Sequence, residues 1–211
     1  MPNWCSTNIT INCKDSKDAK DFFDKVTEWT SKNFCDNGFG QNWLGNVLGN
    51  AGLATMKDGN FESKYRCRGS VTYLDICNEQ VIIDTETAWT PMLQMWKAIC
   101  DKHLDWYELI YTAEECGAEL YFTNDPCVNG TYVVDLFDED SEEVECFHQI
   151  IGGNDSTYYD ISEKCVIEML QRYFQTEETD IDKLIHMFNE SELSECINIH
   201  NFEWCDIEDL M

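Results

Sequence analysis

The sequence has few basic residues: 14 Lys and Arg stand against 41 Asp and Glu in 211 residues, a formal net charge of −27. A protein that grips nucleic acid needs Lys and Arg to neutralise phosphates, so this shortage argues against a conventional nucleic-acid binder. The same sign of charge opposes binding to anionic membranes.

Long apolar runs are also missing. No stretch reaches the roughly 18 apolar residues that a transmembrane helix needs. The N-terminal MPNWCSTNIT has no positively charged region followed by an apolar one, so a signal peptide is not indicated. We therefore expect a cytoplasmic protein.

Closely paired cysteines are absent, although the chain has 12 cysteines. Their irregular spacing includes no CxxC pair. Several, such as Cys77 and Cys100, continue apolar periodicities. We expect reduced thiols buried as small hydrophobic groups rather than a disulfide framework.

The sequence does contain enough apolar surface for a core, with 43% hydrophobic residues and seven tryptophans. Its charge is divided unevenly: residues 1–102 hold 11 basic and 13 acidic residues, whereas residues 103–211 hold 3 and 28. Salt bridges within the chain cannot absorb so many acids, and most must face water. Such a surface serves solubility or meets a positively charged partner.

Hydrophobic periodicity divides the chain at about residue 125. Before it, the pattern predicts strand, helix, two strands joined as a hairpin, helix, and two strands. This order favours an α+β fold over residues 1–125, with a ferredoxin-like antiparallel sheet and two helices on one face. The predicted segments are a strand over 8–13, a helix capped by Ser16, a loop or short helical turn over 36–52, a hairpin of 70–77 and 81–86, a helix from Pro91, and strands over 106–112 and 118–122.

Residues 126–211 are interpreted as an acidic α/β extension. We expect a strand over 132–137, an acidic loop at DEDSEEVE, a turn over 152–155 and a last strand over 196–204. Ser162 and Asp180 have the residue type and position of helix N-caps.

Short motifs near both ends of the first region resemble a known family. Met1-Pro-Asn-Trp-Cys-Ser followed by Asn8-Ile9-Thr10-Ile11, and Thr87-Ala88-Trp89-Thr90-Pro91 ahead of a helix and a Tyr/Glu-rich strand pair, are similar to the ferredoxin-like domain family of phage and plasmid proteins typified by YubB. The resemblance covers about residues 1–125 and implies an origin in a mobile element, with no established reaction. The chain departs from that family at Tyr65-Arg66-Cys67-Arg68-Gly69, where relatives often have Trp-Gly-x-Lys-Trp.

Candidate metal sites are weak. The acidic run starting at Asp138 offers alternating oxygen ligands, but Glu143 stands where a calcium loop needs glycine and Gln149 where it needs glutamate. A solvated acidic loop or a partner-binding surface is the better interpretation. His186, Cys196, His200 and Cys205 lack the tight cysteine pair with which zinc sites usually begin, so we expect ordinary packing and no metal or cofactor.

No catalytic motif is recognisable: GxSxG and phosphate-binding glycine loops are absent, and His103 and His148 have no nucleophile in a recognisable local context. We therefore expect a protein that is not an enzyme.

The acidic half suggests a protein that competes with nucleic acid for a basic surface. Combined with the mobile-element resemblance, it predicts a nucleic-acid-mimicking inhibitor of a host defence nuclease, of anti-CRISPR or anti-restriction type. Its partner would be a basic nucleic-acid-binding protein such as a CRISPR effector, with no direct contact to nucleic acid or membrane. The expected partner-binding residues are Asp135, Asp138, Glu139, Asp140, Glu142, Glu143, Glu145, Glu177, Glu178, Asp180 and Asp182.

Two alternatives stay open. Acidity alone can serve solubility. Alternatively, the protein is an accessory protein whose ferredoxin-like domain binds a small ligand or peptide through aromatic residues near Trp4, Trp43 and Trp89. An apolar pocket beside those tryptophans would favour ligand binding, whereas carboxylates on one convex face would favour mimicry.

Overall fold

The computed structural model describes residues 3–36, 38–115, 117, 120–137, 141–153 and 155–210, with the backbone alone at Glu142, Glu143 and Cys146. Two compact units emerge: unit 1 is Met1–Asp125 with Cys205–Met211, and unit 2 is Pro126–Trp204. The described segments contain six helices together with antiparallel strands, so the mixed α+β class is confirmed.

Unit 1 contains seven strands and three helices among its described residues. In chain order they are β1 (Trp4–Cys13), α1 (Ser16–Ser31), α2 (Leu44–Asn50), β2 (Ala54–Lys57), β3 (Asn60–Ser63), β4 (Gly69–Cys77), β5 (Gln80–Ala88), α3 (Leu93–His103), β6 (Tyr107–Glu115) and β7 (Leu120–Thr123). Five strands form an antiparallel sheet in the order β7-β6-β1-β5-β4, and β2 pairs with β3 separately.

Alternation along the strands gives this sheet one buried face. Ile9 of β1 lies in register with Ile83 of β5 on one side and Tyr111 of β6 on the other. All three side chains are buried. Successive side chains of a strand point to opposite faces, so the intervening polar residues of β1 lie on the other face.

Helices α1 and α3 contribute to the same hydrophobic core as the buried strand residues. Ala19, Phe22 and Val26 of α1 are buried, as the spacing predicts. The predicted cap is wrong by one residue: Asp15, not Ser16, precedes α1 and accepts the N–H groups of Lys17 and Asp18 at 3.0 and 2.9 Å. A carboxylate accepts two such bonds and also favours the positive end of the helix dipole.

Unit 2 combines three strands of one sheet with three helices among its described residues. Its elements are β8 (Tyr132–Leu136), α4 (Glu142–Ile151), β9 (Thr157–Ile161), α5 (Glu163–Phe174), α6 (Ile181–Asn189), a 3₁₀ turn (Glu192–Glu195), β10 (Ile197–Asn201) and a two-residue strand β11 (Glu203–Trp204). The antiparallel order is β10-β8-β9, and Phe147, Leu170 and Phe188 are buried in the core of this unit.

Both predicted caps in unit 2 are confirmed. The Ser162 hydroxyl accepts the N–H of Cys165 at 3.3 Å before α5. The Asp180 carboxylate accepts the N–H groups of Asp182 and Lys183 before α6.

Four elements differ from the sequence interpretation. Helix α4 occupies part of the run predicted as an acidic loop; Ser141 caps it by accepting the N–H of Val144 at 3.1 Å, and Val144 is buried. Strands β2 and β3 form an unpredicted hairpin, whose turn places Asp58 and Gly59 at positive φ. An Asp-Gly pair is a preferred two-residue hairpin turn because glycine adopts this conformation without steric cost. Strand β9 was also not predicted.

None of the ten described cysteines forms a disulfide, as expected. Cys5, Cys13 and Cys100 are buried, but Cys77, Cys127 and Cys165 are exposed, so the expectation of buried thiols is wrong at these three positions. Among the described residues, no helix combines the length and apolar character that crossing a bilayer requires.

Candidate functional site

One end of the unit 1 sheet carries a cleft with a volume of about 900 Å³. The register explains its position: Trp4 at the start of β1 pairs with Ala88 at the end of β5, and Gly69 at the start of β4 pairs with Thr87. The start of β1, the end of β5 and the start of β4 therefore lie side by side at this end of the sheet. The volume lies within the range of small-molecule sites, about 300–1,000 Å³.

Aromatic side chains dominate the cleft wall. The aromatic lining residues are Trp4, Phe39, Trp43, Phe61, Tyr65 and Trp89. The Trp43 ring lies 5.0 Å from the Phe61 ring and 5.2 Å from the Phe39 ring, centroid to centroid. These separations are typical of favourable aromatic pairs. The β2–β3 hairpin, through Phe61, and the segment before α2, through Phe39 and Trp43, therefore form one wall of the cleft together.

Two indoles at the cleft remain open to solvent: Trp4 is 54% and Trp89 is 50% exposed. Trp89 also has a φ of 73°, in the left-handed region that side chains other than glycine rarely adopt. The backbone N–H of Trp89 donates to the carbonyl of Asn3, directly before β1, at 3.0 Å. This bond stabilises the left-handed conformation of Trp89. Strained backbone of this kind concentrates at ligand clamps and functional sites.

Two glycines allow the chain to close around the cleft. A β-carbon at Gly69 would meet backbone and side-chain atoms of Glu86 and Thr87 on β5. A β-carbon at Gly45 in α2 would strike the Trp43 ring. Larger residues at either position would therefore displace the cleft wall.

The polar part of the lining has an unusual charge for this chain. Arg66 and Arg68 line the cleft, and among its described lining residues there is no Asp, Glu or His. Burial raises the pKa of the Cys67 thiol to about 11, so this lining cysteine stays protonated and unreactive near neutral pH. The described lining combines aromatic rings with two guanidinium groups and holds no carboxylate or imidazole to move a proton.

Six of the eleven acidic residues expected to bind a partner have side chains that the structure describes. Asp135 is largely covered, with its side chain 19% exposed, and accepts the Thr157 hydroxyl at 2.9 Å. Glu145 is exposed on α4. Asp138, Glu139 and Asp140 lie outside the described residues, as do the side chains of Glu142 and Glu143.

The other expected residues with described side chains, Glu177, Glu178, Asp180 and Asp182, lie around the start of α6. Glu178 accepts the N–H groups of Thr179 and Asp180, and Lys183 Nζ lies 3.2 Å from Glu178 and 3.7 Å from Asp180. These backbone bonds, with the lysine, lower the pKa of the Glu178 carboxyl. Glu178 and Asp180 therefore organise the local backbone, whereas Glu177 and Asp182 are exposed.

The described residues contain no group of three His, Cys, Asp or Glu side chains that could hold a metal ion. The candidate zinc residue His200 instead lies near Asp135, 3.9 Å from Nδ1 to the carboxylate, and burial lowers its pKa to about 4. Its ring is therefore neutral at physiological pH.

Sequence reasoning identified the three tryptophans of the cleft but missed Phe39, Phe61, Arg66 and Arg68. The alternation of basic residues with Tyr65 and Cys67 was a usable signal, because two of the three arginines in the chain fall there.

Comparison of the chain with models of protein families, with curated proteins and with solved structures found no match.

Proposed function

We propose that unit 1 is a binding domain whose aromatic cleft holds a ligand with a planar ring. The observation that carries this proposal is the convergence of Trp4, Trp43 and Trp89 on one cleft of about 900 Å³. Trp4 and Trp89 leave about half of their surface open to solvent, and Trp89 does so on a strained backbone. They are suited to stacking on a ligand, which supplies the missing ring contacts.

The architecture of this domain is, in our proposal, ferredoxin-like, as in the resembling phage and plasmid family. The strand order β6-β1-β5-β4, with α1 following β1 and α3 following β5, supports that assignment. The hairpin β2–β3 and helix α2 are then insertions that build one cleft wall.

We further propose that the domain binds its ligand without converting it, in the cytoplasm. The absence of Asp, Glu and His from the described cleft lining supports binding over acid–base chemistry, as does the protonated Cys67.

The test is a nuclear magnetic resonance screen of the full chain with small aromatic compounds, followed at the seven tryptophan indole N–H signals. We expect compounds that bind to shift the signals of Trp4, Trp43 and Trp89. Trp106 is a matched control because it is 52% exposed in unit 1 and does not line the cleft. Binders that leave all three cleft signals unchanged would contradict the proposal.

A second proposed function concerns unit 2: a nucleic-acid-mimicking surface that inhibits a basic host defence nuclease. Residues 126–204 contain 19 Asp and Glu but only three Lys and Arg. Exposed carboxylates such as Glu163, Glu168 and Glu190 support it. These groups give unit 2 a negative potential that attracts basic surfaces.

This second function is tested by capture from host extract with a salt titration. Charge reversal of the exposed pair Glu177 and Asp182 to lysine should weaken the captured complex and reduce its salt dependence. Glu62→Lys and Asp105→Lys, at exposed positions of unit 1, are the charge-matched control. Equal loss of binding in both variants would exclude a specific surface at the start of α6.

A further inference from the structure

The charged residues that line the cleft of unit 1 are positive, although the chain as a whole is strongly negative. Its described lining holds Arg66 and Arg68 with no carboxylate, although the chain has 41 acidic residues. Arg68 is exposed and makes no salt bridge within the described part of the chain. The described salt bridges of unit 1 instead involve lysines on helices, such as Lys17 with Asp21.

Positive charge continues beyond the cleft in one direction. Lys64 and Arg66, together with the single carboxylate Glu208, line an adjoining depression with a volume of about 430 Å³. This depression shares Tyr65, Arg66, Thr90 and Met92 with the cleft. Lys64, Arg66 and Arg68 are exposed at alternate positions, and the residues between them are half-buried. A ligand in the cleft therefore meets guanidinium groups at one side, and these groups bind phosphate oxygens in a two-point geometry.

The backbone around the cleft is already paired, which argues against an extended peptide as the ligand. The Val71 N–H donates to the Asn42 carbonyl at 2.9 Å, and Trp43 forms a bridge with Ser70 along the edge of β4. The Ala88 N–H donates to the Arg68 carbonyl at 2.9 Å. A peptide that adds a strand to a sheet needs free groups of this kind, so recognition must depend on side chains.

We propose that the cleft binds a nucleotide, with its base stacked on the indoles of Trp4 and Trp89 and its phosphate held by Arg66 and Arg68. This assignment rests on the proposed ligand-binding function of unit 1. A nucleobase stacks on aromatic side chains whatever its sequence, which contributes about 1–3 kcal/mol per base. The cleft supplies the aromatic surface and the cations together in a chain whose net charge is −27.

The experiment measures binding to the full chain by tryptophan fluorescence and calorimetry. The ligands are adenosine, AMP, inorganic phosphate and a short single-stranded oligodeoxyadenylate. We expect AMP to bind about tenfold or more tightly than adenosine, because a hydrogen bond between charged groups contributes more than a neutral one. Inorganic phosphate alone should bind weakly.

Two variants separate the contributions of charge and stacking. Arg68→Gln should reduce AMP affinity about tenfold towards that of adenosine and leave adenosine binding unchanged. Trp4→Ala should weaken the binding of both AMP and adenosine. Lys57→Gln, an exposed cation on β2 outside the cleft, and Trp106→Ala are the matched controls and should change neither affinity.

The oligonucleotide distinguishes the source of the nucleotide. An affinity at least tenfold above that of AMP, falling steeply with salt, assigns the site to a single strand. Equal affinities assign it to a free nucleotide.

The proposal is overturned if AMP fails to bind, or if Arg68→Gln leaves the ratio of AMP to adenosine affinity unchanged. A phosphotyrosine peptide that binds in an Arg68-dependent manner while AMP does not would replace the nucleotide by a peptide. If aromatic compounds still shift the cleft indoles in either case, ligand binding by unit 1 stands and only the ligand class is wrong. If no compound reaches the cleft, both proposals fail.

Discussion

At the scale of single residues, a substitution of Trp89 should affect ligand binding without affecting stability. Its positive φ costs about 1–3 kcal/mol in a residue other than glycine, and half of its ring is exposed. Trp89→Gly removes this strain while it removes the ring, so we expect the free energy of unfolding to change by less than about 1 kcal/mol. Ligand binding in the cleft should nevertheless be lost.

Urea unfolding and ligand titration of the same samples test this expectation. Trp96→Ala is the contrasting variant, because Trp96 is fully buried and its truncation should cost about 3–5 kcal/mol. A comparable loss of stability in Trp89→Gly would mean that the ring serves packing rather than a ligand.

His200 makes the stability of unit 2 depend on pH. Burial lowers its pKa from 6.5 to about 4, despite the nearby Asp135 carboxylate. Between these values the unfolded chain binds the proton and the folded unit does not, so stability is lost as the pH falls from 6.5 towards 4. From pH 7 to pH 5 the expected loss is about 2 kcal/mol.

Urea unfolding followed at unit 2 resonances at both pH values measures this loss. His200→Gln should remove it. Protonation of the many carboxylates relieves repulsion and acts in the opposite direction, so the difference between wild type and variant is the informative quantity. No difference would show that the ring is protonated in the folded unit.

At the scale of secondary-structure elements, Asp180 illustrates how a residue expected to bind a partner can have a local role. Its carboxylate caps α6, and its ion pair with Lys183 is exposed. Such exposed ion pairs contribute little to the free energy of unfolding. We expect Asp180→Ala to destabilise unit 2 by about 1 kcal/mol and Asp180→Asn to leave it nearly unchanged, because asparagine caps helices equally well.

The same two variants address partner binding. If the carboxylate of Asp180 contacts a basic protein, Asp180→Asn weakens that complex although the unit remains stable. Equal destabilisation of unit 2 by both variants would exclude capping as the dominant role of this side chain.

At the scale of the whole molecule, the C-terminal segment belongs with the first unit although unit 2 precedes it. Ile207 is buried in the core of unit 1, the Tyr111 hydroxyl donates to the Cys205 carbonyl at 2.8 Å, and Gln94 donates to the Leu210 carbonyl at 2.7 Å. Ile207→Ala should therefore destabilise unit 1 by about 2–4 kcal/mol and leave unit 2 unchanged.

Leu193→Ala is the reciprocal control, because Leu193 is fully buried in unit 2. Unfolding of each unit can be followed through its own resonances in one urea series. Loss of unit 2 stability in Ile207→Ala would contradict the assignment of this segment to unit 1.

Local patterns in the sequence were sufficient for most elements. Alternation predicted β1, apolar spacing predicted α1, and residue type predicted the caps at Ser162 and Asp180, because each of these signals acts within one or two turns of the chain. Helix α4 was missed because its charged first turn concealed the apolar spacing of Val144 and Phe147. The hairpin β2–β3 was missed although its Asp-Gly turn was visible.

The sequence by itself determined the uneven charge, the free thiols and the polar and apolar faces of the principal helices and strands, since composition and short-range periodicity fix these. Only the tertiary structure decided that Phe39, Phe61 and Arg68 join the three tryptophans in one cleft and that Ile207 packs in unit 1. These contacts depend on the register of antiparallel strands and on loop closure across long stretches of chain. A one-residue shift in that register would turn every side chain of a strand to the opposite face.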